Sequence, residues 1–291
     1  MRDALLQRIQ RRAEESDSDV VYITQEGEVL LDWTSEPDLP LLEIMSIGKS
    51  IVSLAIGILI NEGKIPDIDV PIFHLYPEWY QGAKQKITLR MIMNHTSGIQ
   101  AISDGNEISR APDSIQFALC AELSDMPGQK FFYNNKATCL LSGVIHRVSG
   151  QPVDEYVKQK LFTPLEISEF GWNRDTVGNP RSLGGVQMRT KDLYKIAQLV
   201  MNKGIWKGER LLTEEWMGQM LTPSEESRHK CGLLWWVYQN PLIYAAQGYL
   251  GQWLYILPEK KIIALRQMRS GKRPLDQVDE YKDFRELVEQ L

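Results

Sequence analysis

The residues with the clearest chemical potential are Ser46 and Lys49, in Met45-Ser46-Ile47-Gly48-Lys49-Ser50. On a helix, positions three apart lie one turn above each other on the same face, so the lysine amine can reach the serine hydroxyl. A serine hydroxyl is a weak nucleophile until a neighbouring base takes its proton. A lysine in water is protonated near neutral pH and cannot be that base. Burial disfavours the ammonium form, and the run Ile51-Val52-Ser53-Leu54-Ala55-Ile56 predicts a buried setting. Ser46 would also sit near the helix N-terminus, where backbone N–H groups favour developing negative charge. The spacing alone is common. Ser227-Arg228-His229-Lys230 repeats it within the polar stretch that begins Ser224-Glu225-Glu226, where nothing would desolvate a lysine. Context selects Ser46.

A second element is Tyr133-Asn134-Asn135, just before a helical pattern that starts at Lys136. A phenol beside a serine can pass a proton to a leaving group. An asparagine can donate to substrate and orient the lysine. Tyr238-Gln239-Asn240 has the same pattern, and a tyrosine is more often a packed ring with a satisfied hydroxyl.

Taken together, these elements resemble the β-lactamase and penicillin-binding-protein superfamily, in its class C-like serine hydrolase branch. Ser46 to Ser50, followed by Glu62-Gly63-Lys64-Ile65, looks like the nucleophile helix and its end. Thr88-Leu89-Arg90 to His95-Thr96-Ser97-Gly98 is similar to the family stretch TLR-x-LL-x-HTSG. Pro127-Gly128 to Asn135 resembles the Y-x-N segment, and Leu183-Gly184-Gly185 with Thr190-Lys191-Asp192-Leu193 another shared block. The resemblance implies Ser46 as nucleophile, Lys49 as its base and Tyr133 as proton shuttle. It implies Asn135 as a lysine holder and substrate contact, and the Ser46 N–H as half of an oxyanion hole. It also implies a structural role for His95.

The third family motif, K-T-G or H-x-G, is altered. One register places Ala246-Gln247-Gly248 there, with Tyr249 as the second oxyanion donor. Another places Ile243-Tyr244-Ala245 there, with Ala246 as donor. Gly248 with Gly251-Gln252 favours the first. Both lack the basic side chain, which weighs against β-lactam and D-Ala-D-Ala recognition. Gly-x-x-Gly-Gln instead resembles the branch of esterases and 6-aminohexanoate-oligomer hydrolases. Arg266 or Arg269 could replace the charge, although a surface arginine is the commoner reading for each.

These residues need a scaffold. Residues 4–15 have amphipathic helical spacing, and Val20 to Thr24 with Val29 to Leu31 read as a hairpin. Ser46 to Glu62 is apolar almost all round, as a buried helix is. Helical patterns recur at Lys136 to Val148, at 191–202 and at Asp279 to Leu291. Strand patterns cover 232–238, 242–246, 252–257 and 261–267. The expected fold is α+β: an antiparallel β-sheet built from both chain ends and flanked by helices, with a mostly helical inserted subdomain. The expected division is 1–66 with 176–291, and 67–175 as the insertion.

Composition narrows the functions. The 291 residues hold Lys+Arg 33 against Asp+Glu 38, a net charge of −5, with no basic stripe for nucleic acid. Cys120, Cys139 and Cys231 form no disulfide framework, and four scattered histidines offer no metal motif. No metal or cofactor is expected, no stretch is long enough for a membrane span, and no secretory signal is evident, so the expected location is cytoplasmic. The expected function is a serine hydrolase acting on a small-molecule ester or amide through an acyl-enzyme on Ser46. The rivals are a β-lactamase or DD-peptidase, and a non-catalytic or acylation-stalled binding module.

Overall fold

Apolar residues from both ends of the chain meet in one sheet. The computed structural model describes residues 2–102, 106–228, 230–272 and 274–291. Helix α1 (Arg2–Glu15) precedes β1 (Val20–Gln25), β2 (Glu28–Thr34), β3 (Leu42–Glu43) and α2 (Ile47–Asn61). The middle of the chain holds α3 (Leu89–Met93), α4 (Asn106–Ser109), α5 (Ser114–Leu119), α6 (Asn135–Ser149), α7 (Val153–Val157) and β4 (Phe170–Trp172). Then come β5 (Val186–Met188), α8 (Thr190–Met201), β6 (Ile205–Trp206), β7 (Glu209–Arg210) and α9 (Glu214–Met220). The chain ends with β8 (Trp236–Gln239), β9 (Leu242–Gly248), β10 (Gln252–Leu257), β11 (Ile262–Gln267) and α10 (Phe284–Glu289).

The main sheet has six strands in the order β2-β1-β11-β10-β9-β8, and its paired neighbours are antiparallel. Strand β11 lies in its middle, and all six of its residues are buried. That is why Ile262-Ile263-Ala264-Leu265 reads as a continuous apolar run rather than an alternation. Ile263 and Leu265 face the larger core with α2, whereas Ile262 and Ala264 face a second core with α1 and α10. The expected α+β architecture is the one observed.

Helix α2 runs through the larger core. Ile47 to Leu59 are all buried, so it has no solvent face over its first three turns. Its two interior hydroxyls are satisfied by the segment before β8: Ser50 donates to the Leu234 carbonyl and Ser53 to the Leu233 carbonyl, both at 2.7 Å. Gly57 makes room for an indole, since a Cβ there would fall 2.2 Å from Trp216 Nε1.

Three expectations are corrected. The strand over 232–238 begins only at Trp236, because Leu234 takes φ +62° while its segment bends to meet the α2 serines. The helix expected over 279–291 is confined to Phe284–Glu289. Ahead of it, the carbonyls of Asp279 and Glu280 accept from Arg266 and Trp253, and the Asp279 and Asp283 carboxylates pair with Arg12. A three-stranded sheet, in the order β3-β5-β4, was not anticipated. Its strands hold two or three residues each, too few for any periodicity to register. Of the second S-x-x-K, His229 lies outside the described residues. No helix among the described residues is long and apolar enough to cross a membrane.

Two glycine substitutions should have opposite effects. Gly57→Ala should lower stability by about 1–3 kcal/mol through overpacking against Trp216. Gly218→Ala, on the exposed face of α9 with nothing within 4 Å, should be neutral or raise it by up to about 1 kcal/mol. Denaturant midpoints of the two variants measure both.

Candidate active site

The chain reaches the candidate nucleophile through a forced turn. Strand β3 pairs with β5, and the Ile44 N–H continues that ladder to the Val186 carbonyl at 2.9 Å. Met45 then adopts φ +51°, a sparsely populated conformation for a side-chain-bearing residue, and α2 begins. Two glycines permit the approach. A Cβ on Gly184 would sit 3.0 Å from the Met45 carbonyl oxygen, and one on Gly248 would sit 2.7 Å from that of Ile44.

Ser46 occupies the N-cap of α2 but makes no capping hydrogen bond. A serine there usually accepts from a backbone N–H inside the helix. Here the hydroxyl faces Lys49, whose Nζ lies 2.8 Å from Ser46 Oγ. Lys49 is 2% exposed. Its Nζ also donates to the Leu183 carbonyl and lies 5.1 Å from the centre of the Tyr133 ring. Among the described residues no carboxylate lies within ion-pair distance of it. Hydroxyl and amine are thus at the separation that proton transfer requires.

Tyr133 is fixed by its neighbours in sequence. The Phe132 N–H donates to the His95 carbonyl at 2.9 Å, and the Asn134 N–H donates to His95 Nδ1 at 3.1 Å. One histidine therefore clamps both sides of the tyrosine, and their rings are 4.6 Å apart. Because Nδ1 accepts, the imidazole proton resides on Nε2. Burial and the nearby Lys49 push the His95 pKa down to about 3, so the ring is neutral. Asn134, the middle residue of Y-x-N, caps α6 by accepting from the Ala137 N–H at 2.9 Å. On the other side Trp236 stacks parallel to Tyr133 at 6.1 Å.

Ser46 and Tyr133 line an open cleft of about 760 Å³, together with Asn135, Trp236, Glu43 and Tyr249. Asn135 makes no hydrogen bond to Lys49. Its Oδ1 is buried without a partner, and the Leu183 carbonyl holds the lysine instead. Tyr249 follows β9 directly, and its ring is exposed at the cleft. Ala246 lies opposite Leu254, fully buried in the larger core and away from the cleft. A second concavity of about 770 Å³, near Arg90 and Glu215, contains no serine beside a lysine or histidine.

The family model described as Beta-lactamase matches residues 7–285. The chain belongs to the beta-lactamase family. It is 24% identical over 227 residues to the putative penicillin-binding protein PbpX of Bacillus subtilis (strain 168), covering 70% of this chain and 54% of that protein. It is 24% identical over 244 residues to the 6-aminohexanoate-dimer hydrolase of Paenarthrobacter ureafaciens, covering 75% and 62%. The chain thus spans between half and two thirds of the length of these two relatives. A putative beta-lactamase from Bacteroides dorei DSM 17855 superposes with TM-score 0.81 at 16% identity, over 99% of this chain and 98% of that one. A putative 6-aminohexanoate-dimer hydrolase from Bacillus anthracis does so with TM-score 0.82 at 17% identity, over 97% and 82%. At these identities the likeness to solved structures is one of fold.

Within this beta-lactamase-family fold, neither candidate arginine supplies the missing charge. Arg266 is fully buried rather than at the surface. It donates to the Leu250 and Gly251 carbonyls at 2.7 and 2.8 Å, so it braces the turn that carries Tyr249. Arg269 pairs with Asp19 and Glu36. The buried thiols are not rival nucleophiles, because desolvation pushes Cys139 and Cys231 up to about 12. Sequence reasoning missed the Leu183 carbonyl, which carries no side-chain signal, and the double clamp by His95.

The buried imidazole also ties stability to pH. The unfolded chain takes up a proton near pH 6.5, which folded His95 refuses until about pH 3. Stability therefore rises with pH across that window and is lost on acidification. Between pH 6.5 and 4 the wild type should lose about 1.4 kcal/mol per pH unit relative to His95→Asn, whose side-chain oxygen can still accept. Paired urea titrations measure this. A gap that does not change with pH would mean the imidazole protonates in place.

Proposed function

We propose that this beta-lactamase-family protein is a serine hydrolase that cleaves a small ester or amide through a covalent acyl-enzyme on Ser46. The observation that carries the reading is the 2.8 Å contact between Ser46 Oγ and the buried Lys49 Nζ, with Tyr133 packed against the lysine. In this reading Ser46 attacks the substrate carbonyl while its proton passes to Lys49. The tetrahedral oxyanion is met by the backbone N–H groups of Ser46 and Tyr249. The intermediate collapses as the leaving group takes a proton relayed from Lys49 through Tyr133. Water, deprotonated by the same groups, then attacks the ester on Ser46 and releases the acid.

The altered third strand supports an ester or amide substrate over a β-lactam. The position occupied by a basic residue in penicillin-recognising relatives falls at Ala246 in the preferred register and at Ile243 in the other, and both are buried and apolar, so in neither register can that side chain pair with a substrate carboxylate. The three thiols are unpaired, which suits a reducing compartment such as the cytoplasm.

Intact-protein mass after exposure to a fluorophosphonate probe tests the reading. Wild type should gain one adduct and Ser46→Ala none. Lys49→Met should slow adduct formation roughly 10²–10⁴-fold. No adduct on folded wild type would turn the reading toward a binding module, and rapid turnover of nitrocefin would turn it toward a β-lactamase.

A further inference from the structure

Glu43 ends β3, three residues before Ser46, and lines the same cleft. Strand alternation places Leu42 in the core and Glu43 on the opposite face. Glu43 is half-buried, and desolvation holds its carboxyl above the usual carboxylate range. No described side chain or backbone donor offsets that cost, although the carboxylate oxygens remain open to the cleft. Among the described residues, Glu43 is the one buried or half-buried carboxylate with neither a hydrogen-bond donor nor an ion-pair partner. The rule elsewhere is strict. Asp19 pairs with Arg269 and Lys272, Glu107 with Lys136, Asp192 with Lys195, and Asp175 accepts from Ser114 and Asn179. Partly desolvating a charge without a partner is unfavourable, and the exception stands on the wall of the candidate active site.

No described cation in the cleft answers that carboxylate. Asn135 lines the cleft, but its Oδ1 is turned away from solvent and has no partner. The one lysine, Lys49, is engaged by Ser46 and Leu183. Arg266 and Arg269 are bound elsewhere, and Ala246 is apolar. Among the described residues, the cleft therefore presents the Glu43 carboxylate and no free cation. Trp236, Tyr249 and Leu275 supply aromatic and apolar wall, a surface that also attracts alkylammonium groups.

We propose that Glu43 is a specificity-determining residue that pairs with an ammonium group of the substrate, so that the cleft takes cationic, amine-bearing esters or amides. The proposal rests on the hydrolase reading of Ser46 for its chemistry, but not for its binding. Glu43 and Ser46 are at most about 11 Å apart between Cα atoms, so a short alkyl chain is long enough to join the ammonium to the scissile carbonyl.

Two measurements test this. The first is calorimetric binding of 4-phenylbutylammonium against neutral 4-phenylbutan-1-ol, in wild type and Glu43→Gln, with no chemistry involved. Loss of a charged hydrogen bond changes affinity roughly 10- to 100-fold. Wild type should prefer the cation by that factor, and Glu43→Gln should bring the ratio close to one. The second is the kcat/KM ratio of p-nitrophenyl 4-(trimethylammonio)butyrate to its neutral isostere p-nitrophenyl 5,5-dimethylhexanoate. The cation is then moved to the leaving group, with acetylthiocholine against 3,3-dimethylbutyl thioacetate. A cation preference that collapses in Glu43→Gln supports the proposal. Equal binding of the two phenylbutyl ligands by wild type, or a preference that survives in Glu43→Gln, overturns it. Glu43-dependent cation binding with no turnover of any ester would keep the ammonium site and sink the hydrolase reading instead.

Discussion

The burial of α2 on every side is the constraint from which the site follows. A helix with no solvent face cannot rotate or slide without emptying part of the core, and close-packed interiors resist that. Its first turn therefore holds Ser46 and Lys49 in one geometry. The same burial takes Lys49 out of water and leaves the Leu183 carbonyl and the Tyr133 ring as its surroundings. What makes the helix stable thus also fixes the serine–lysine contact on which the proposed chemistry rests. The Ser50 and Ser53 hydroxyls bind this helix to the segment before β8, which delivers Trp236 to the cleft.

The second contributor, Tyr133, depends on a different kind of support. It lies on a short connection before α6, where no regular hydrogen-bond ladder fixes the backbone. His95 replaces that ladder by accepting from the residues on both sides of the tyrosine. For this an imidazole must stay neutral, and complete burial ensures that it does. The turn after β9 is braced in an analogous way by Arg266. Two side chains outside the proposed chemistry therefore define where two parts of the cleft stand.

Much of this was legible in the sequence because the relevant signals are long or repeated. The all-apolar run after Ser46 announced a buried helix. The strand patterns at both ends announced a sheet shared by the termini, and the order of motifs announced the family. The rest was illegible for physical reasons. Strands β3, β4 and β5 are shorter than one period of any pattern, yet they form the wall that carries Glu43. The bend at Leu234 is imposed by hydrogen bonds to a helix far away in sequence, so the local pattern still read as strand. Asn135 was expected to hold the lysine, but a backbone carbonyl does so. Arg266 was read as surface because an isolated arginine usually is, and nothing local reveals the ring of carbonyls that accepts it.

The pairing of Val20 with Gln267 has a consequence for how the molecule comes into being. On a ribosome, β1 and β2 emerge before the other strands of the main sheet, and β1 must then wait for β11 while the roughly 240 residues between them are made. At about 5–20 residues per second, that delay is on the order of tens of seconds. Throughout it, β1 offers an unpaired edge, which is a template for association with other nascent chains. Strands β9 and β10, which complete the cleft and part of the cover over α2, arrive in the same late segment. A partly synthesised chain therefore carries Ser46 and Lys49 without the enclosure that makes them a pair. Such a long wait favours assistance from chaperones during synthesis over unaided folding.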